Sequence, residues 1–422
     1  MIRPARLACA QLLWQHRNYA GILRNTMSKA HLDTEAMLAR LVGFDTTSRN
    51  SNLALIQFAA DYLDGFGIEA SVLHSAEGDK ANLFASIGPG RAGGVVLSGH
   101  TDVVPVDGQA WHSDPFTLQT DDARLTGRGT SDMKGYLASV LAAVPQMRTA
   151  SLRSPVHLAF SYDEEVGCLG APAMIAHMLE ARFAPAAVLI GEPTDMRVVN
   201  AHKGMYAGRV QVCGHEAHSS QTQLGVSAVG LAGRLVNWLV EAAEARRRHG
   251  PRDARFMPAW STLAVNQIQG GTALNILAGR CEFTWEVRHL PDDDLPGLLE
   301  DFGRFCARVE AEAREVAASV RIRQEVIAGI PALVPEAQGA AAALAQLLVA
   351  GDLDAADGEC AAVAFCTEGG QFQQAGFSTV VCGPGSVSQA HQPDEHVLRS
   401  DLARCDGYLQ RLMQRQCRPV AV

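Results

Sequence analysis

Several features are missing from this chain of 422 residues. None of its 10 cysteines forms a Cys-x-x-Cys pair, which leaves them as reduced, mostly buried thiols of a cytosolic protein. No apolar run reaches the ~18 residues of a membrane span. Positive charge is not in excess. The net charge is −9 at pH 7, the wrong sign for a partner of the nucleic-acid phosphate backbone. Neither a Walker loop nor a Gly-x-Ser-x-Gly elbow occurs. Gly88 to Gly93 satisfies Gly-x-Gly-x-x-Gly, but an apolar strand follows it where dinucleotide binding needs a helix. Acidic residues are absent before Asp33, whereas Arg3, Arg6, Arg17, Arg24 and Lys29 are present. Such an opening suits an organelle-targeting peptide or, the reading preferred here, an upstream start with Met27 as the natural beginning. Residues 1–30 are therefore set apart as an N-terminal extension.

What remains is a globular composition, 47% hydrophobic and 19% charged, with length for two or three domains. Leu38, Leu41, Ile56, Ala59 and Leu63 follow helical spacing between Thr34 and Gly67. Strands are expected over Ile68–Leu73, Asn82–Ile87, Val95–Ser98, Val156–Tyr162 and Ala187–Ile190, with a helix over Lys134–Met147. This alternation predicts an α/β catalytic domain, a mostly parallel sheet with helices on both faces. From Tyr206 to Val326 the pattern changes to β-α-β-β-α-β, an inserted ferredoxin-like α+β unit. The expected division is 31–205 and 328–422 for the catalytic domain and 206–327 for the insert. A strand over Ser378–Cys382 and a last helix from Asp401, capped by Ser400, complete the chain.

Five side chains of metal-ligand type fall at expected strand ends or turns: His100, Asp132, Glu165, Glu192 and His391. The first four are about thirty residues apart, the length of one strand-plus-helix unit. The fifth returns roughly two hundred residues later. Ligands of open α/β sheets bind outside the carboxyl ends of the strands. Asp102 follows His100 by two positions, on the same face of an extended segment. It can accept a hydrogen bond from one imidazole nitrogen while the other binds metal. Asp132, in a glycine-rich turn, is either a helix cap or a carboxylate bridging two cations. Asp163, Glu164 and Glu165 repel one another at a buried strand end unless cations compensate. Adjacent side chains diverge, so one glutamate can ligate metal while its neighbour accepts a proton. Imidazoles mixed with carboxylates suit zinc, cobalt or manganese. Two such ions beside a spare carboxylate point to hydrolysis of an amide or related acyl bond.

The runs Ser-Gly-His-Thr-Asp-Val-Val-Pro, Gly-Arg-Gly-Thr-Ser-Asp-Met-Lys-Gly, Asp-Glu-Glu-Val-Gly and Gly-Glu-Pro-Thr, in this order, resemble the M20 family of dinuclear metallohydrolases. The segment 383–395 is most similar to its acetylornithine deacetylase branch. The resemblance implies one divalent ion, zinc by preference, on His100, Asp132 and Glu192, and a second on Asp132, Glu165 and His391. It implies Glu164 as general base and Asp102 as the residue orienting His100. It implies that the insert closes as a lid and mediates a homodimer. A histidine of the insert would then reach a neighbouring active site; His218 matches that position, with His215 its rival. Asn275, Arg288, Gly369 and Gly370 match substrate-facing positions. The implied reaction is hydrolysis of an N-acyl amino acid, N2-acetyl-L-ornithine first, by a cytoplasmic enzyme of arginine biosynthesis. The rivals are a desuccinylase, aminoacylase or carboxypeptidase of the same family, or a metal-binding partner protein without catalysis. No nucleic-acid or membrane partner is expected.

Overall fold

The computed structural model describes residues 31–351 and 359–417, and the extension 1–30 lies outside them. Its strands are β1 (Ala70–His74), β2 (Ala81–Ile87), β3 (Val95–His100), β4 (Gln119–Thr120), β5 (Arg124–Thr126), β6 (Val156–Ser161), β7 (Ala187–Pro193), β8 (Val199–His202), β9 (Gly204–Cys213), β10 (Thr262–Gly270), β11 (Arg280–His289), β12 (Arg321–Ile330), β13 (Ala361–Val363), β14 (Thr379–Gly383) and β15 (His396–Leu398).

The large sheet has the order β1-β2-β6-β3-β7-β14-β8-β13. Its centre, β6-β3-β7-β14, is parallel, whereas β1, β2 and β8 pair antiparallel with their inner neighbours. Every residue of β3, β6, β7 and β14 is buried, as a sheet covered on both faces requires. Alternate side chains divide between two cores. Leu97, Leu158, Leu189 and Val380 pack with the helices Thr34–Val42, Leu53–Gly65, Lys134–Thr149 and Arg399–Gln416. Val96, Ala159, Val188 and Val381 pack with the helix Ala171–Glu180 on the other face. Gly191 is required on β7, because a Cβ there would lie 2.0 Å from Cγ of Tyr136.

The second sheet, β10-β11-β9-β12, is antiparallel throughout, with the unit's first and third strands in the middle. That is the ferredoxin-like arrangement. Its own core joins Val210, Phe283 and Trp285 to Leu235 of the helix Ala228–His249 and Phe302 of the helix Leu295–Arg314. A small third sheet, β15-β5-β4, carries the turn ahead of Asp132. Among the described residues no helix is long and apolar enough to cross a membrane.

Some boundaries differ from expectation. The helical stretch 34–67 is two helices with a loop between them, Thr34–Val42 and Leu53–Gly65. Strand β9 begins at Gly204 and β12 ends at Ile330, so the small sheet's strands run slightly beyond 206–327; β8 passes almost directly into β9. The last helix starts at Arg399, with extended Leu398 as its N-cap and no side-chain capping bond. Strand β15 feeds straight into that helix, which leaves Ser400 inside its first turn.

Candidate metal centre

His100 is the last residue of β3, and Glu192 lies within β7, its parallel neighbour; Glu192 is in the strand, not after it. Glu164 and Glu165 lie in the turn following β6, the neighbour on the other side of β3. Asp132 precedes the helix Lys134–Thr149, whose N-cap Met133 has no side-chain capping bond. Asp132 is therefore not a helix cap. His391 comes from the segment between β14 and β15 and is left-handed, φ 63°, an uncommon state for a non-glycine residue.

These elements converge. His100 Nε2 lies 3.0 Å from Asp132 Oδ1 and 3.7 Å from Glu192 Oε1. His391 Nε2 lies 3.4 Å from Asp132 Oδ2 and 3.0 Å from Glu165 Oε2. One carboxylate thus turns one oxygen to each imidazole, with a second carboxylate flanking each. Ligand atoms of His100, Asp132 and Glu165 fall within 4.8 Å of one another, as do those of His100, Glu164 and Glu192. Glu165 Oε1 is buried without a hydrogen-bond partner, a position that a cation would satisfy. The donor set, two imidazoles and several carboxylates, fits divalent ions of zinc, cobalt or manganese type.

The electrostatics describe a site crowded with carboxylates. Burial, with the charge of Asp132 adding to it, lifts Glu165 to about 7 and Glu192 to about 8. Burial and then the charge of Glu192 push Glu164 well above its ordinary value. Burial opposes ionisation of Asp132, yet hydrogen bonds from both histidines hold it well below the usual carboxylate range. Hydrogen bonds to Asp132 and Glu165 lift His391 to about 10. His100 is pulled down by burial, but the carboxylates of Glu192 and Asp132 outweigh this and raise it well above 6.5. Protons here compensate charge that divalent cations would compensate instead.

Asp102 differs in detail from expectation. His100 Nδ1 donates to the backbone carbonyl of Asp102 at 2.9 Å, while the nearest carboxylate oxygen is 3.6 Å away. The carboxylate accepts instead from the hydroxyl of Ser48 (2.7 Å) and the backbone N–H groups of Glu164 (3.1 Å) and Glu165 (3.3 Å). It ties the acidic turn to the end of β3. Glu164 accepts a hydrogen bond from the thiol of Cys168 at 3.3 Å.

The remaining candidates lie farther out. His218 and Asn275 are exposed on the inserted unit, adjoining through the bridge His218–Ile276 and the bond from Ser219 N to Asn275 O (3.0 Å). His215 instead contacts Ser319 Oγ at 3.2 Å. Among the described residues no hydrogen bond or ion pair joins His218 or Asn275 to the five ligand candidates. Arg288 lies within β11, not after it, and donates to Cys366 Sγ at 3.3 Å; the Cys366 thiol is in turn raised to about 12 by burial and then by the charge of Glu164. Gly369 and Gly370 open a short helix, Gly369–Gln374, and are buried. A Cβ on Gly370 would lie 2.0 Å from the carbonyl oxygen of Pro331, so backbone packing accounts for this glycine.

Two buried acids were missed in the sequence. Glu368 accepts from the hydroxyls of Ser98 (3.2 Å) and Ser161 beneath the site. Glu395 binds the turn that carries Asp132. The only signal for Glu395 was its place four residues after His391, in the run Gln-Pro-Asp-Glu.

Comparison with known proteins agrees with this geometry. The profile of Peptidase family M20/M25/M40 matches residues 96–415. The acetylornithine deacetylase of Pasteurella multocida (strain Pm70) is 33% identical over 362 residues, 82% of this chain and 86% of that protein. The acetylornithine deacetylase of Myxococcus xanthus is 34% identical over 396 residues, 90% of this chain and 97% of that protein. Among solved structures, an M20 family metallo-carboxypeptidase from Sulfolobus solfataricus superposes with a TM-score of 0.70 at 16% identity, covering 92% of this chain and 100% of that one. Human carnosine dipeptidase 1 gives 0.64 at 16% identity, covering 95% and 98%. A hydrolytic enzyme follows from the strand-end carboxylates and imidazoles taken with these relatives, and the chain belongs to peptidase family M20/M25/M40.

Proposed function

We propose that this enzyme hydrolyses the amide of an N-acyl amino acid, with N2-acetyl-L-ornithine as substrate and acetate and L-ornithine as products. The observation that carries the reading is Asp132, with Oδ1 on the His100 side and Oδ2 on the His391 side. Glu164 stands beside this arrangement, its carboxylate within 4.8 Å of the ligand atoms of His100 and Glu192. The acetyl-ornithine assignment draws its support from relatives bearing that activity in their names, at 33–35% identity over most of both chains.

His100, Asp132 and Glu192 would hold one divalent cation, and Asp132, Glu165 and His391 the other, zinc being preferred. When bound, such a pair lowers the pKa of water and polarises a carbonyl. Glu164 takes the proton of the attacking water and passes it to the leaving amine. Its burial among carboxylates suits it to hold that proton in between. Asp102 holds the Glu164–Glu165 turn and, through its carbonyl, the tautomer of His100. Arg288 is a partner for the substrate carboxylate through paired hydrogen bonds. Asn275, Gly369 and Gly370 contribute to the substrate pocket. Segments 31–205 and 328–422 carry the chemistry, and 206–327 acts as lid and homodimer interface in a cytoplasmic enzyme of arginine biosynthesis. His218, exposed on the insert, stabilises the oxyanion of a neighbouring subunit.

The test is a panel of acetyl-, succinyl- and longer acyl-amino acids and dipeptides, assayed on protein loaded with zinc, cobalt or manganese. Preference for acetyl-ornithine is expected. Preference for a succinyl substrate or a dipeptide would move the enzyme to another branch, and no turnover on any member would remove the catalytic reading.

A further inference from the structure

Three of the five ligand candidates ride on β-strands or the turn next to one, but Asp132 and His391 do not. They come from the turn 127–132 and the segment 384–395, neither of which is a strand of the large sheet; only the start of the latter is tied to it, by the bridge of Ser386 to Thr194 just after β7. Something else must set their separation. Ser131 Oγ exchanges hydrogen bonds with the backbone N–H and C=O of Ser386, both 3.1 Å, and one buried carboxylate makes a larger set of bonds between the two segments. Glu395, 1% exposed, accepts four hydrogen bonds from the Asp132 turn. Its Oε2 accepts from Arg128 Nη1 (2.7 Å) and Gly129 N (3.0 Å), and its Oε1 from Ser131 N (2.9 Å) and Asp132 N (3.0 Å). Its backbone carbonyl accepts from Gly127 N (2.8 Å) and Thr130 Oγ1 (3.2 Å).

The other side of this clamp grips His391. Arg128, whose side chain is 1% exposed, also donates to the carbonyl of Gln392 (3.3 Å) and to Gln109 Oε1 (2.5 Å). Gln109 Nε2 in turn donates to the carbonyl of His391 at 2.8 Å. Trp111 lies against the Arg128 guanidinium, 5.0 Å from its ring centroid. A carboxylate with both oxygens doubly occupied cannot rotate without breaking charge-assisted bonds in a dry site.

We propose that Glu395 is the positioning residue of the dinuclear centre: by fixing the Asp132 backbone and the His391 segment as one unit, it sets the His391-side metal position. This rests on the two-metal reading above. The consequence is asymmetric. The His100-side position keeps His100 and Glu192, both held by strands, whereas the His391-side position depends on Glu395 for two of its three donors.

The test is zinc binding by equilibrium dialysis and calorimetry on the full chain, comparing wild type with Glu395→Gln and Arg128→Lys. The amide keeps the shape but presents N–H groups to Arg128 and Gly129; the lysine keeps the buried cation and loses the fork to Gln392 and Gln109. For Glu395→Gln one site should lose about 10- to 100-fold in affinity, the usual range for partners behind metal ligands, while the other stays within a few-fold, and a companion His391→Ala variant should weaken the same site. Arg128→Lys should show the same asymmetry with a smaller loss, and it decides alone if Glu395→Gln does not fold. Unchanged affinities at both sites, or equal losses from both in a folded variant, overturn the proposal. Failure of the wild type to bind two ions would instead overturn the two-metal reading itself.

Discussion

The two sheets of this enzyme solve different problems. In the large sheet the central strands are buried along their whole length, and helices cover both faces. In the small sheet β11 alternates between buried and open residues. Helices cover one face, while Arg209, Glu282 and Glu325 form ion pairs across the other. The parallel sheet ends in an edge where strand termini converge, and there the ligand candidates gather. The antiparallel sheet offers a broad face and long loops, and there His218 and Asn275 lie exposed. Buried strands and the ligand candidates thus share one unit, and exposed loops mark the other.

The sharpest way to break this contrast is to remove one catalytic candidate from each unit. Glu164→Gln should keep both metals and lose about 10³-fold or more in kcat. His218→Ala should keep both metals and lose about 10²-fold. Metal content and steady-state rates check both, and full activity of His218→Ala would strip the insert of any catalytic group. Phe160→Ala in β6 tests the packing side. Its ring is fully buried in the main core, so a loss of about 3–5 kcal/mol is expected in urea unfolding.

A smaller effect is expected from acid. Burial lowers His157 and His202, on β6 and β8, to about 4, against 6.5 in the unfolded chain. Between those values the unfolded state binds the extra protons. Stability is therefore complete above pH 6.5 and declines as pH falls toward 4, by about 2 kcal/mol per histidine at pH 5. Comparing urea midpoints at pH 7.5 and 5 for wild type and His157→Gln isolates one such contribution, which the variant should lack. Least of all, Glu325→Gln on the open face of the small sheet should cost less than ~1 kcal/mol, since its pairing with Arg209 at 3.1 Å is solvent-exposed. A larger loss in a concentration-dependent melt would mean that this face is covered in solution.

Much of this was legible along the chain, for reasons that individual residues make plain. Val95–Leu97 is a continuous apolar run and Val156–Phe160 is apolar but for His157, patterns that suit a doubly covered strand. Polar residues directly after such runs, His100 and Glu164–Glu165, had to stand at the sheet's edge. Cys281, Phe283, Trp285 and Val287 alternate, which marks a half-covered strand. Less legible were helix starts: Ser400 looked like a cap but lies within the first turn, because β15 runs into the helix without a break.

By itself, the sequence determined the class of both sheets, the insertion between them, and the five metal-ligand candidates with a spare glutamate beside them. These follow from local hydrophobic period and from side-chain chemistry, which a reader of single residues can see. Only the tertiary structure decided that the two oxygens of Asp132 face different histidines, that His100 leans on the carbonyl rather than the carboxylate of Asp102, and that Glu395 binds the Asp132 turn. Each of these depends on hydrogen bonds between segments far apart in the chain, and no local pattern records which distant N–H a buried carboxylate will meet.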